Sequence, residues 1–193
     1  EPGLNVLPPG VERHTVNMGG LTGLQIFPDD QIEIINEEGN QICEIICFDK
    51  NGKSELGILS LKENIKKSFI KEILNNNDES SLITKLQLKK RNLNINNSKS
   101  SIIFDKDTPS GEKVKLKSKD KCYVIFSAPK NEMLISDQNP SGDLTIFIKR
   151  AKITKDKELS IIPDPVFEPN YEKNINRQTC ISYQVKEGDY IQV

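Results

Sequence analysis

Residues 24–48 read LQIFPDDQIEIINEEGNQICEIICF, and the hydrophobic periodicity of this stretch decides the fold. In its first part, apolar residues alternate with polar neighbours, as in a strand with one buried face. These residues are Leu24, Ile26, Ile32 and Ile34. Residues 42–48 are apolar on both faces, which is typical of a central strand covered on both sides. We therefore expect two strands joined at residues 36–39, with a turn at 28–30 inside the first.

Glu44 places a carboxylate in the middle of that apolar run. An ionised carboxylate is costly to bury unless it is paired. Three interpretations follow: Glu44 lies at a sheet edge, pairs with a lysine, or lines a pocket that binds a cationic or amine-bearing ligand. The edge or the lysine pair is favoured over the pocket.

Three further residues complete the candidate ligand-binding set with Glu44. Gln41 follows Gly39-Asn40, which indicates first a turn and only second a polar site. Asp137 and Asn139 belong to a segment that is most simply a loop, although it supplies several hydrogen-bonding groups between predicted strands. A small-molecule site requires such groups to converge on an apolar cleft.

After residue 52 the spacing of apolar residues changes from that of a strand to that of a helix. Ser60-Leu-Lys-Glu63 matches a capping box, and apolar residues then recur at helical spacing as far as Ile73. A second helix is predicted from Ser80 to Arg91, with its apolar residues at positions 82, 83 and 86. These patterns predict a two-helix insertion at about 60–91.

Strand periodicity dominates the remainder of the chain. Residues 1–12 suggest an extended arm, and short strands are predicted at residues 13–18, 102–104, 114–116, 122–127, 133–135 and 144–148. No strand–helix alternation of the kind that builds a parallel sheet is present. The predicted fold is mainly β (α+β at most): an antiparallel β-sandwich or partly open barrel with the two-helix insertion.

The predicted domains are residues 1–160 and residues 161–193. Residues 161–169 (IIPDPVFEP) form a Pro-rich linker. Residues 181–193 resemble residues 23–34, because Gln184, Asp189 and Ile191 match Gln25, Asp30 and Ile32. This similarity suggests the start of a second repeat, and the alternative is a last strand that closes the first domain.

Composition excludes several classes of function. The net charge of −1, with lysines scattered among acidic residues, gives no reason to expect nucleic acid or an anionic membrane as a partner. Four cysteines without a C-x-x-C pair indicate reduced, buried thiols and a cytoplasmic location. With His14 as the single histidine, neither a metal site nor a catalytic triad is expected. We therefore predict no catalytic residue, no metal and no cofactor.

In this order of segments the chain resembles the urea-carboxylase-associated family, whose function is uncharacterised. The matching segments are residues 30–44 (DQIEIINEEGNQICE), 123–129 (YVIFSAP) and 138–140 (QNP). It is more specifically similar to a tandem form of that family found N-terminal to a glycine-cleavage T-protein (aminomethyltransferase)-like domain. The segments carrying that similarity are residues 104–112, 163–165 and 183–192.

The resemblance implies a neighbouring domain rather than an activity of this chain. Stand-alone members of the family carry an Arg-His-Asp-Thr segment and cysteines in mid-chain, whereas residues 48–121 here contain neither His nor Cys. The leading hypothesis is an accessory, non-catalytic β-domain that binds a C-terminal aminomethyltransferase-like domain or a small metabolite. The alternatives are a free-standing ligand-binding protein of urea or amine metabolism with a pocket near Glu44, and a lyase or hydrolase that uses that carboxylate. The sequence does not determine the oligomeric state.

Overall fold

The computed structural model describes residues 7–76, 78–130 and 141–152, and the single residue 182. The strands are β1 (Val11–Val16), β2 (Leu21–Ile26), β3 (Gln31–Asn36), β4 (Cys43–Asp49), β5 (Ser100–Phe104), β6 (Glu112–Lys117), β7 (Cys122–Ser127) and β8 (Leu144–Lys149). Between β4 and β5 lie a 3-10 helix (Leu56–Leu59), α1 (Phe69–Leu74) and α2 (Glu79–Lys90).

The strands form two four-stranded antiparallel sheets. One, which we call the helix-free sheet, has the order β1-β8-β3-β6, and the other, the helix-covered sheet, has the order β2-β7-β4-β5. Consecutive strands lie in opposite sheets, except for β4 and β5, which pair with each other. This is the strand order of a double-sheet jelly roll. The predicted mainly β, antiparallel sandwich with a two-helix insertion is confirmed.

Apolar side chains fill two layers, one on each side of the helix-covered sheet. Cys43, Ile45 and Cys47 point between the two sheets, while Ile46 and Phe48 pack under the helices. The expectation that residues 42–48 contain a central strand with both faces covered is therefore confirmed for β4.

Residues 24–48 contain parts of three strands rather than two. The turn that separates β2 from β3 includes Asp29 with φ +67°, and the Asp30 N–H donates to the Phe27 carbonyl at 3.2 Å. This turn sends β3 into the opposite sheet. The alternating residues of β2 and β3 therefore meet the same inter-sheet core from opposite sides.

The first helix begins later than predicted. Ser60 has φ +59° and ends the 3-10 helix, so it does not cap a helix starting at Leu61. Residues 61–67 are irregular, and the helix starts after Ser68, whose side chain accepts from the Lys71 N–H. The Asn64 side chain instead hydrogen-bonds both backbone groups of Ile102 on edge strand β5, at 2.7 and 3.0 Å. This contact with a distant strand replaces the helical turn that the capping box predicted.

The second helix forms as predicted but turns its apolar residues outward. Leu82, Ile83 and Leu86 are exposed, whereas Ser81, Thr84, Gln87 and Leu88 are buried. Hydrogen bonds explain the polar contact face. Ser81 Oγ donates to the Ile73 carbonyl at 2.8 Å, and Ser80 Oγ accepts from the Leu21 N–H at 3.1 Å.

The other strand predictions are confirmed within the described ranges, with shifted ends. The first strand starts at Val11 inside the predicted extended arm, so that the single histidine lies in a sheet. The predicted strand at 133–135 lies outside the described residues, and so does the proposed second domain at 161–193 apart from residue 182. Neither described α-helix has the length and apolar composition that crossing a bilayer requires.

Candidate functional site

Glu44 lies in the interior of the helix-covered sheet, between β5 and β7. It is fully buried, and its Oε2 accepts a hydrogen bond from the Ile70 N–H at 2.8 Å, near the start of α1. The carboxylate is therefore neither at a sheet edge nor held by a lysine in this contact. Its direct effect is to hold the start of α1 against the sheet, where the N–H groups of a helix are otherwise unsatisfied.

The second oxygen of this carboxylate has no hydrogen bond to the part of the chain that the structure describes. Among the described residues, neither Glu44 Oε1 nor the Oγ of Ser127 has a hydrogen-bond partner, and both atoms are buried. Ser127 lies directly opposite Glu44 in the β4–β7 register. Since paired residues on antiparallel strands project from the same face, two unsatisfied polar groups lie on the α1 side of the sheet.

Gln41 is buried at the same end of the sandwich and is bound to backbone. Its side-chain amide donates to the carbonyls of Ile42 and Pro129, each at 2.9 Å. It follows a turn in which Gly39 and Asn40 both have positive φ, at +81° and +57°. The turn interpretation is thus confirmed, and the amide N–H groups link the start of β4 to the end of β7.

Asp137 and Asn139, the other two candidate residues, lie outside the described residues. Their convergence with Glu44 and Gln41 therefore remains a prediction.

A groove of about 700 Å³ opens at the far end of the helix-covered sheet, beside the C-terminus of α2. Glu44 does not line it. The charged residues that line the groove are one carboxylate, Asp49, and four cations: Lys50, Lys90, Arg91 and Lys121. This excess of positive charge suits an anion better than an amine cation.

Tyr123 also lines that groove and contacts two residues of its wall. The Arg91 guanidinium lies 4.6 Å from the centre of its ring, and its hydroxyl donates to Gln87 Oε1 at 2.5 Å. The ring is able to lie flat across β2 because Gly23 has no side chain there, and a Cβ would collide with the tyrosine hydroxyl. Gly23 is therefore an integral part of β2.

A charged cluster, missed by sequence reasoning, ties β1 to the end of β8. Arg150 binds both oxygens of Glu12 at 2.7 and 2.8 Å, and it binds Asp30 Oδ2 at 2.7 Å. His14 Nε2 lies 3.2 Å from Glu12 Oε2. Burial by itself would raise the pKa of Glu12, but the hydrogen bonds from His14 and Arg150 hold it below its usual value. Periodicity gave no signal for this cluster, because Glu12 lies within the polar strand β1 and its partners are far away in the sequence.

The three described cysteines are buried and free, as predicted, while Cys180 lies outside the described residues. Burial and the adjacent Glu44 carboxylate raise the pKa of Cys43. A hydrogen bond to Cys122, together with burial, raises the pKa of Cys47. Protonated thiols are poor nucleophiles and poor metal ligands, and this applies to Cys43 and Cys47. The hydrogen bond with Cys47 instead lowers the pKa of Cys122. Within the described ranges, no group of three or more His, Cys, Asp or Glu residues has the geometry to hold a metal ion.

Comparison with known proteins adds one relative. The chain is similar to a trimethylamine-oxide aldolase. That enzyme, from Ruegeria pomeroyi, is 32% identical over all 193 residues of this chain. The chain spans only 24% of the length of that enzyme.

No family model matches the chain. The resemblance to the urea-carboxylase-associated family, and the aminomethyltransferase-like neighbour that it implies, therefore stay predictions. What is shown is similarity to one part of a longer enzyme that is named for its action on an amine oxide.

Proposed function

We propose that this chain is an accessory, non-catalytic β-domain of a longer amine-metabolism polypeptide that also carries an aminomethyltransferase-like domain. The observation that carries the proposal is the filled space between the two sheets. Its lining is apolar from strand to strand, with Ile32 and Ile34 on β3, Val124 and Phe126 on β7, and Ile146 and Ile148 on β8. A substrate site would need polar groups that converge on a cleft there.

The longer relative supports the same proposal. It is named trimethylamine-oxide aldolase, and this chain matches 24% of its length. A catalytic site elsewhere in such a polypeptide would leave this domain with a structural task. We expect the native polypeptide in source cells to be far larger than the 21.8 kDa of this chain, as measured by antibody detection and intact mass spectrometry. A native species of 21.8 kDa would contradict the accessory role.

The free-standing ligand-binding protein remains the second candidate, because one observation favours it. Glu44 Oε1 and Ser127 Oγ are both buried on one face of the sheet, and within the described ranges neither has a hydrogen-bond partner. A small amine could donate hydrogen bonds to that carboxylate oxygen. The cationic groove gives this alternative no support, because Glu44 does not line it.

Calorimetric titration of the 193-residue chain with trimethylammonium, whose single N–H can donate to the Glu44 carboxylate, tests the second candidate. The variants are Glu44→Gln and Ser127→Ala, with the exposed Glu63→Gln as control for the loss of one carboxylate. For an accessory domain we expect no binding, and Glu44→Gln should lower only the free energy of unfolding, by about 1–3 kcal/mol, through the weakened bond to Ile70 N–H. Binding by the wild type that is lost in both Glu44→Gln and Ser127→Ala would establish the ligand site instead.

A further inference from the structure

The exposed face of α2 carries three large apolar side chains, which we call the α2 ridge: Leu82, Ile83 and Leu86. Their exposed fractions are 47%, 40% and 68%. Leu86 lies four positions after Leu82 and three after Ile83, so its side chain neighbours both and the three form a continuous patch. Apolar patches of this kind mark interaction surfaces more often than isolated exposed residues do.

Charged residues of opposite sign flank the ridge. Glu79 lies in the first turn of α2, and Lys89 and Lys90 lie in the last turn, and all three are exposed. Glu79 precedes Leu82 by three positions, and Lys90 follows Leu86 by four, so acid, apolar patch and base share one stripe of the helix. The stripe is negative at its start, apolar in its middle and positive at its end.

We propose that α2 pairs in antiparallel fashion with α2 of a second copy of this chain, about a two-fold axis near the middle of the helix. Such a rotation places Glu79 next to the partner's Lys90 and Lys90 next to the partner's Glu79. It also places Leu82 against the partner's Leu86. A two-fold interface requires a surface that is complementary to itself, and the order acid, apolar, base meets that requirement. Antiparallel helix dipoles add to the attraction.

The size of the α2 ridge determines how tightly we expect the two copies to associate. A helix of 12 residues is about 18 Å long, and two such helices bury an area at the low end of specific interfaces. We therefore expect a dissociation constant in the micromolar range rather than an obligate dimer. This inference goes beyond the accessory role and does not depend on it.

Sedimentation equilibrium of the 193-residue chain, from about 5 to 300 µM, tests the pairing. The wild type should shift from 21.8 kDa towards twice that mass, and Leu86→Glu should remain monomeric across the range. Leu86→Gln serves as the milder second variant. Far-UV circular dichroism checks that each variant is folded. A wild type that is monomeric at every concentration, or a dimer that Leu86→Glu leaves unchanged, overturns the proposal.

Charge reversal distinguishes self-pairing from other association. Glu79→Lys and the double variant Lys89→Glu/Lys90→Glu should each weaken self-association about tenfold, because both symmetric contacts become repulsive. An equimolar mixture of the two variants should recover dimers, since each then supplies the charge that the other lacks. Glu63→Lys, an exposed change outside the ridge, should leave the dissociation constant unchanged. If the mixture associates no better than its components, the antiparallel arrangement is wrong.

Discussion

At the scale of single residues, Arg150 connects two carboxylates and a backbone carbonyl that come from distant parts of the chain. Its guanidinium is nearly buried and binds Glu12, Asp30 and the Gln25 carbonyl. Burial alone would lower its pKa, but these two carboxylates keep the pKa of Arg150 above its usual value. Removal of the guanidinium would leave two carboxylates largely buried without their cation, a loss of about 3–5 kcal/mol for a pair of this kind.

Because of this cluster, we expect the free energy of unfolding to depend on pH. The pKa of Glu12 is lowered in the folded chain relative to about 4.3 in an unfolded one, so its contribution is fully present above that value and is lost as the pH falls through the folded pKa. Arg150→Gln should therefore lower the free energy of unfolding most at pH 7, by about 3 kcal/mol, and progressively less below about pH 4. Urea titrations from pH 3 to pH 7 measure the difference.

The neighbouring Lys149 provides the matched control for that experiment. It is exposed on β8, so Lys149→Gln removes the same charge without breaking the cluster, and stability should change by less than about 0.5 kcal/mol. An equal loss in both variants at all pH values would show that net charge, rather than the Glu12 contact, is responsible.

At the scale of elements, α2 has the reverse of the usual amphipathic arrangement. Its sheet-facing side is polar, and that side is held by hydrogen bonds to α1 and β2, with Leu88 as its main apolar anchor. Such a helix gains little from burying its own apolar residues. Its position depends on a few specific contacts.

Two leucines of α2, two positions apart, test this arrangement. Leu88→Ala should lower the free energy of unfolding by about 2–4 kcal/mol, because Leu88 is only 7% exposed. Leu86→Ala should change it by less than about 0.5 kcal/mol at micromolar or lower concentration, because Leu86 is 68% exposed. Chemical denaturation followed by circular dichroism gives both values. Equal losses would mean that α2 is rotated about its axis relative to this structure.

At the scale of the whole molecule, the helix-covered sheet contributes side chains to both apolar layers, one on each of its faces. β4 sends Ile45 into the inter-sheet layer and Ile46 into the layer under the helices. The helical insertion should therefore not unfold independently of the sandwich.

We predict a single cooperative unfolding transition. Phe126→Leu in the inter-sheet layer and Ile73→Val under the helices should both move the same transition to lower denaturant concentration, and each should lower the free energy of unfolding by about 0.5–2 kcal/mol. The chain has no tryptophan, so tyrosine fluorescence and the circular dichroism of the helices are the two probes. Two separated transitions, with Ile73→Val affecting only the earlier one, would contradict the prediction.

Hydrophobic periodicity predicted most of the architecture. Because a strand buries alternate residues, the pattern of residues 42–48 identified β4 and the layers on both of its faces, and similar patterns identified β7 and β8. Positive φ at Gly39 and Asn40 fulfilled the turn prediction, since turn chemistry is local. These features depend on neighbours within a few residues, and the sequence by itself determined them.

Contacts between distant residues decided the rest. Glu44 meets a backbone group 26 positions away, Asn64 meets Ile102 at a separation of 38, and Arg150 meets Glu12 at a separation of 138. The first gives an inner-strand carboxylate its donor, the second displaces a predicted helical turn, and the third builds a buried charge cluster. The outward orientation of Leu86 likewise follows from hydrogen bonds between α2 and other elements. Only the tertiary structure decided these features, because their free energies arise from partners that no local pattern specifies.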